Sequence, residues 1–302
     1  MTLEGRDPPD YWPEEALVGL AEAVRCGTPW REALTRAIQP GEPPDYAGQV
    51  TDDARGNWLW FADLSRWERA LDVQGGVGTL TAALSRHFAL VHYLDSARPL
   101  VSFAQTRFAA DGPGNVRIVR AGSETLPYAD ATFDCVVWDG ALKRWPPGAD
   151  PTAVLRQVLG ECRRVLRSGG CLYAGIAVAE WPVRPVGPGR ALSWLARLLL
   201  PLAAAVPHSA GRRRATEHVR RLHRVAFPGM MRRLLQEAGF LRLEEFYIHP
   251  SFRQPWSMIP VRRRAVLAYE SGQTVNVRLR RAIAWLGLHP LLYDARIFLA
   301  YP

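Results

Sequence analysis

Two periodicities alternate along this chain. From residue 13 to 38 apolar positions recur at three- and four-residue steps: Leu17, Leu20, Ala21 and Val24, then Ala33, Leu34, Ala37 and Ile38. That spacing predicts two helices. Gly27-Thr28-Pro29 separates them, with Thr28 as N-cap and Pro29 at the first helical position. A proline-rich loop follows over 40–48, and then a run from Asp52 to Arg69 carrying Trp58, Trp60 and Trp67. Aromatics at this density either wall a pocket or dock an N-terminal segment on a core.

From residue 70 the pattern changes to short apolar runs separated by helical stretches. Leu71-Asp72-Val73 is strand-like and runs into Gly75, Gly76 and Gly78, after which a helix opens over 79–88. Phe88–Leu94 predicts the next strand, ending on Asp95, and residues 97–110 are helical. Asn115–Val119 and Phe133–Trp138 predict two more strands, the second ending at Asp139-Gly140. Residues 152–167 read as a helix closed by Ser168-Gly169-Gly170, followed by a strand over Cys171–Val178. A helix within Phe227–Phe240, a strand over Leu241–Ile248 and a last strand over Ala295–Ala300 complete the series. Strands alternating with helices predict an α/β fold with a doubly wound parallel sheet. Ligands of such sheets sit at the carboxyl ends of the strands, where Gly78, Asp95, Ser123 and Asp139 all fall. A strand that ends in a glycine turn and feeds a helix brings free N–H groups close to a nucleotide-like ligand.

Composition narrows the class. The chain has 302 residues, 48% of them hydrophobic, enough for a sizeable core. Cys26, Cys135, Cys162 and Cys171 are scattered, with no C-x-x-C and no histidine at metal spacing. This argues for a reducing, cytoplasmic setting and against a zinc site. The acidic, proline-bearing start (Glu4, Asp7, Pro8, Pro9, Asp10) does not read as a signal peptide. Lys143 is the sole lysine, and charge is unevenly spread: residues 1–160 carry net −6 and residues 161–302 net +15. A basic half attracts phosphate, nucleic acid or an anionic membrane; it is equally a solvated arginine-rich surface.

Four segments in order carry a family resemblance. L-D-V-Q-G-G-V-G-T at 71–79, H-Y-L-D-S ending at Asp95-Ser96, A-G-S-E-T-L-P-Y-A-D-A-T-F-D-C-V-V-W at 121–138 and E-C-R-R-V-L-R-S-G-G-C-L-Y at 161–173 resemble the motifs of class I S-adenosylmethionine-dependent methyltransferases of the methyltransferase-11 type. A Rossmann dehydrogenase fits less well, because G-x-G-x-x-G does not occur. The resemblance implies a seven-stranded Rossmann-like sheet, S-adenosyl-L-methionine as cofactor, and a cofactor set of Asp72, Gln74, Gly76, Gly78, Asp95, Ser96, Ser123, Glu124 and Asp139. Asp95 would hold the ribose hydroxyls. Asp139 would orient the acceptor or act as general base; its other reading is a cap on the next turn. Two positions depart from the family. Gln74 replaces its first glycine, bringing a side chain toward the methionine part of the cofactor. Ser123 replaces an aspartate that accepts from the adenine amino group, with Glu124 next to it.

The implied organisation is a helical N-terminal cap (1–66), a cofactor-binding core (67–179), a lid or acceptor region (180–226), and the rest of the core sheet (227–302) with an insertion at 249–294. Ala191–Val206 is apolar but interrupted by Arg197 and Pro201, too short to span a bilayer, and Arg212-Arg213-Arg214 and Arg220-Arg221 follow it. It reads as a lid helix or as an interfacial helix on an anionic membrane, and Arg262-Arg263-Arg264 with Arg278, Arg280 and Arg281 extend the basic surface. His208, His218, His223 and His249 are candidate bases that the sequence does not place. The expectation is methyl transfer to a small-molecule or glycan-type acceptor, lipid-linked glycans included, in a biosynthetic pathway. The alternative is a protein of the same fold that no longer methylates. No target-base motif such as N-P-P-Y is present, which sets nucleic acid last.

Overall fold

Leu71, Val73, Val136 and Leu172 turn to one side of their strands, while Ala70, Cys135, Val137 and Tyr173 turn to the other, and both sets are buried. Strands apolar on both faces belong in the middle of a covered parallel sheet. In the computed structural model, which describes residues 14–37, 52–139, 150–177, 228–251, 254–273, 277–287, 293 and 295–302, these strands build one sheet. The strands are β1 (Arg69–Val73), β2 (Leu90–Asp95), β3 (Val116–Arg120), β4 (Phe133–Asp139), β5 (Leu166–Ala177), β6 (Arg242–Ser251), β7 (Gln254–Pro260) and β8 (Ala295–Tyr301). The helices are α1 (Glu14–Arg25), α2 (Trp30–Ala37), α3 (Thr79–Leu84), α4 (Arg98–Asp111), α5 (Pro151–Val165), α6 (Pro228–Glu237), α7 (Arg263–Ser271) and α8 (Val277–Trp285).

The order across the sheet is β3-β2-β1-β4-β5-β8-β6-β7. β1 to β5 are parallel to their neighbours, and β8 runs antiparallel between β5 and β6. The sheet therefore has eight strands rather than the expected seven. The eighth is β7, which pairs antiparallel with β6 at the edge and lies within the stretch read as an insertion. Its sequence, Q-P-W-S-M-I-P, carries two prolines, which an edge strand tolerates because one side of its backbone has no ladder to complete.

α5 and α6 cover one face through Leu155, Leu159, Met231 and Leu235. The opposite face is covered by α3 and by a short 3-10 segment, Asp53–Phe61, whose Trp58 lies 4.5 Å from the Tyr173 ring on β5. Asp52 starts that segment by accepting a hydrogen bond from the Ala54 N–H at 2.8 Å. α1 and α2 pack on α4 instead of on the sheet, with Trp30 edge-on to Phe103. α5 ends at Val165, and Leu166 is already extended. Ser168-Gly169-Gly170 thus lies in the irregular opening of β5, where the register with β4 shifts, and does not cap the helix. The lid region 180–226, with Ala191–Val206, both arginine clusters and His208, His218 and His223, lies outside the described residues.

Candidate functional site

The carboxyl ends of β1, β2 and β4 and the turn after β3 meet at one edge. β1 delivers Asp72 and Val73, then the chain turns at Gln74 through Gly78 into α3. Gly78 caps α3 with φ 79°, and a Cβ there would fall 2.8 Å from the Phe108 ring, so both its conformation and its surroundings demand glycine. Gly76 has φ 58°, and a Cβ built on it would find no atom nearer than the Gln74 carbonyl oxygen at 4.0 Å: the turn faces open space there. The Gly76 N–H donates to Asp95 Oδ2 at 3.2 Å, the Ala97 N–H to Asp95 Oδ1 at 2.9 Å, and the Tyr93 hydroxyl to the Gly76 carbonyl at 2.8 Å. The buried Asp95 is thus locked to the glycine turn. Ser96 beside it is exposed, and its carbonyl accepts from Arg120 at 3.4 Å.

The two departures from the family pattern touch each other. Gln74 adopts φ 58°, the left-handed region that glycine occupies freely and other residues at a cost of about 1–2 kcal/mol. Its carboxamide reaches sideways across the strand ends. Nε2 donates to Ser123 Oγ at 3.4 Å, and Oε1 accepts from the Trp138 indole N–H at 3.1 Å. Trp138 is 1% exposed, so without Gln74 its N–H would be a buried orphan. The sequence places Gln74 and Ser123 as separate substitutions 49 positions apart; in the fold they are one contact.

Asp139, at the end of β4, is ion-paired with Arg55 of the 3-10 segment, and both side chains are largely buried. It is therefore engaged with a cation. Asp72 lies on the same face of the sheet and accepts from the Thr81 hydroxyl of α3 at 2.6 Å. Burial pushes its carboxyl from 3.8 up to about 7; the Thr81 hydrogen bond opposes this, Asp139 adds to it, and Arg55 opposes it. Burial likewise raises the Tyr173 hydroxyl well above its usual range. Arg55, Trp58, Tyr173, Ile248 and Met258 line a cavity of about 10 Å³, room for roughly one water. The Trp58 indole N–H is buried there without a hydrogen-bond partner. Sequence reasoning did not single out Arg55. Asp52, a capping residue just ahead of the tryptophans, is the signal that a short ordered segment begins there. Of those tryptophans, Trp58 both docks the segment and walls the cavity, whereas Trp60 is 80% exposed.

The turn carrying Ser123 and Glu124 is held from below. Arg164 of α5 donates to the Leu126 and Tyr128 carbonyls at 3.0 and 2.7 Å and pairs with Glu161 at 2.7 Å, whose carboxylate accepts from the Leu126 N–H at 2.7 Å. The Arg164 hydrogen bonds hold the Glu161 carboxyl below its ordinary range. The third and fourth sequence motifs are thus clamped together. Glu124 is half-buried, and its carbonyl accepts from Gln157 at 3.0 Å. His249, at the end of β6, turns away from the cavity that Ile248 lines and contacts the Tyr269 hydroxyl at 3.0 Å. Among the described residues no group of His, Cys, Asp and Glu is arranged to hold a metal ion.

Residues 71–174 match the family model described as a methyltransferase domain (Methyltransf_11). They form a class I S-adenosylmethionine-dependent methyltransferase domain. This domain contains the glycine turn, Asp95, the Ser123 turn and Asp139; Arg55 and Trp58 precede it. Over 157 residues the chain is 31% identical to a demethylmenaquinone methyltransferase of Clavibacter sepedonicus, covering 52% of this chain and 49% of that protein. Over 111 residues it is 34% identical to a ubiquinone/menaquinone biosynthesis C-methyltransferase UbiE of Klebsiella pneumoniae, covering 35% and 41%. The matches span half or less of these relatives' length. Among solved structures, phosphoethanolamine N-methyltransferase 2 of Haemonchus contortus aligns over 94% of this chain and 60% of its own, at TM-score 0.47 and 12% identity.

Proposed function

We propose that the protein is a cytoplasmic S-adenosylmethionine-dependent methyltransferase acting on a small-molecule or glycan-type acceptor in a biosynthetic pathway. The observation that carries the proposal is the coupling of the open Gly76 turn to the Asp95 carboxylate within a methyltransferase domain. The residues fit the cofactor: the Gly76–Gly78 turn leaves room for a close approach, and the start of α3 directs N–H groups toward the same edge. Asp95 would take the ribose diol, and the Ser123 turn would border the base. Bound there, the cofactor supplies an electrophilic methyl group on sulfur for in-line displacement. The relatives' names favour a quinone-type compound as the acceptor.

The chain's own part is positioning and electrostatics. Asp139 holds Arg55 at the mouth of the acceptor side, and the pair lies beside Trp58 and Tyr173. In this reading Arg55 and the Trp58 N–H orient an oxygen of the acceptor, and Asp139 is a positioning residue acting through Arg55. Calorimetry with S-adenosylmethionine and S-adenosylhomocysteine tests the proposal. Binding is expected, weakened roughly tenfold or more in Asp95→Ala, the scale of a lost hydrogen bond to a charged group. No binding of either compound by the intact protein at millimolar concentration overturns it.

A second reading, a protein of this fold that no longer methylates, is favoured by Gln74, whose carboxamide bridges Ser123 and Trp138 across the strand ends. It predicts that Gln74→Gly gains cofactor affinity that the natural protein lacks. If the natural protein already binds well, the bridge is part of a working site.

A further inference from the structure

We propose that the outer face of the α7–α8 hairpin is a docking surface for an anionic lipid bilayer. α8 buries Ile283 and Ala284 toward the sheet, yet Leu279, Trp285 and Leu286 are 56%, 63% and 62% exposed. At 100° per residue Leu279 and Leu286 fall about 20° from each other and about 40–60° from Ile283, at the rim of the buried face, whereas Trp285 falls farther round beside the exposed Arg278 and Arg281. α7 opens with Arg262, Arg263 and Arg264, all exposed. The Arg263 guanidinium lies 5.5 Å above the Trp285 ring and donates to the Trp285 carbonyl, so the start of α7 and the end of α8 form one surface. Five exposed arginines therefore surround a tryptophan and two leucines.

Acidic residues are sparse in the sequence around this positive charge. Across residues 252–293 the sequence contains one acidic residue, Glu270. Glu270 is fully buried, where its carboxylate is held by Arg280 and by the Tyr293 hydroxyl at 2.5 Å. Glu270 thus fixes the hairpin from inside, and among the described residues the exposed charges of α7 and α8 are all arginine. Large exposed apolar side chains grouped with exposed cations mark a surface that gains from being covered. An anionic bilayer satisfies both halves of the pattern. Leucine and tryptophan enter the headgroup boundary, and each arginine near the surface adds about 1 kcal/mol. Nucleic acid would use the arginines and leave Leu279 and Leu286 without a partner.

The hairpin also reaches the strand ends. α7 packs on β7, and its Tyr269 contacts His249, near the carboxyl end of β6. Docking through the Trp285 end would hold the carboxyl end of β6 about one nine-residue helix, roughly 13 Å, from the docked surface. The inference does not depend on whether the site methylates.

Flotation of the full chain with phosphatidylcholine vesicles, with and without phosphatidylserine, tests it. Binding is expected to the phosphatidylserine vesicles at low salt, weakening steeply as salt rises. The double variant Arg278→Glu/Arg281→Glu is expected to bind about tenfold or more weakly. Leu279→Gln/Leu286→Gln is expected to lose the part of binding that survives high salt. All four positions are exposed, so unchanged thermal midpoints separate lost docking from lost folding. Variants that float like the natural protein would assign binding to arginines elsewhere and overturn the proposal, as would absence of binding at low salt. Displacement from vesicles by RNA, with RNA affinity depending on Arg278 and Arg281 but not on Leu279 and Leu286, would mark a nucleic-acid surface instead and overturn it equally.

Discussion

The two ends of the sheet handle charge in opposite ways. At the β1–β4 end, carboxylates are brought to the strand ends and tied to backbone N–H groups, a hydroxyl and a single arginine: Asp95 to the Gly76 and Ala97 N–H groups, Asp72 to Thr81, Asp139 to Arg55. At the β6–β7 end a buried carboxylate, Glu270, anchors a hairpin whose exposed charges are arginine, and Glu245 of β6 is paired with Arg232 and Arg296. The first arrangement suits a small ligand held by backbone and acidic side chains; the second suits an extended anionic surface. The net charge of the chain averages two surfaces of different make-up.

Separating the two ends experimentally sharpens this contrast. The largest effect is expected from Glu270→Ala. It strips a half-buried arginine and a buried tyrosine hydroxyl of their partner and should cost about 3–5 kcal/mol. Denaturant unfolding measures the loss, and vesicle flotation should fail with it while S-adenosylhomocysteine binding persists. Loss of cofactor binding as well would show that the two ends are one cooperative unit.

The next effect is pH-dependent and belongs to the β1 end. The Asp72 carboxyl titrates at 3.8 in the unfolded chain and at about 7 when buried. Between those values the unfolded state has released a proton that the folded state keeps, so stability falls as pH rises through the window and is level above it. The full swing is at most about 4 kcal/mol. Asp72→Asn should remove it, matching the natural protein near pH 4 and exceeding it near pH 8 in denaturant midpoint. A variant no more stable at pH 8 would mean that Thr81 and Arg55 keep Asp72 ionised.

The smallest effect concerns the Arg55–Asp139 pair. Arg55→Ala leaves Asp139 partly buried and unpaired and should cost about 2–3 kcal/mol, while the double variant Arg55→Ala/Asp139→Asn should recover part of this. Vesicle binding should be unchanged in both.

The two ends also differ in how much of them can be read from the chain. β1 and β4 are buried on both faces, so each appears as a short apolar run closed by a glycine or an acid, and the edge that the parallel strands form follows from α/β topology. β7 carries two prolines and no clear alternation, a combination permitted because it pairs on one side only. Gln74 and Ser123 stand out as departures, but their mutual contact depends on the positive φ at Gln74, which directs the carboxamide sideways toward Ser123 and Trp138. Arg55 escapes notice because its partner is 84 residues away and nothing local marks the pair.

The placement of β8 between β5 and β6 bears on how the chain reaches this state. Until residues 295–301 have left the ribosome, β5 has no neighbour on its outer side and the β6–β7 pair has nothing to join. The outer edge of β5 waits through the synthesis of more than a hundred residues and that of β6 through about forty, the interval in which edge-to-edge association with other nascent chains competes with folding. Closure of the sheet is therefore a late, long-range event, and truncation anywhere before Ala295 would release a protein carrying its glycine turn with an incomplete sheet beneath it.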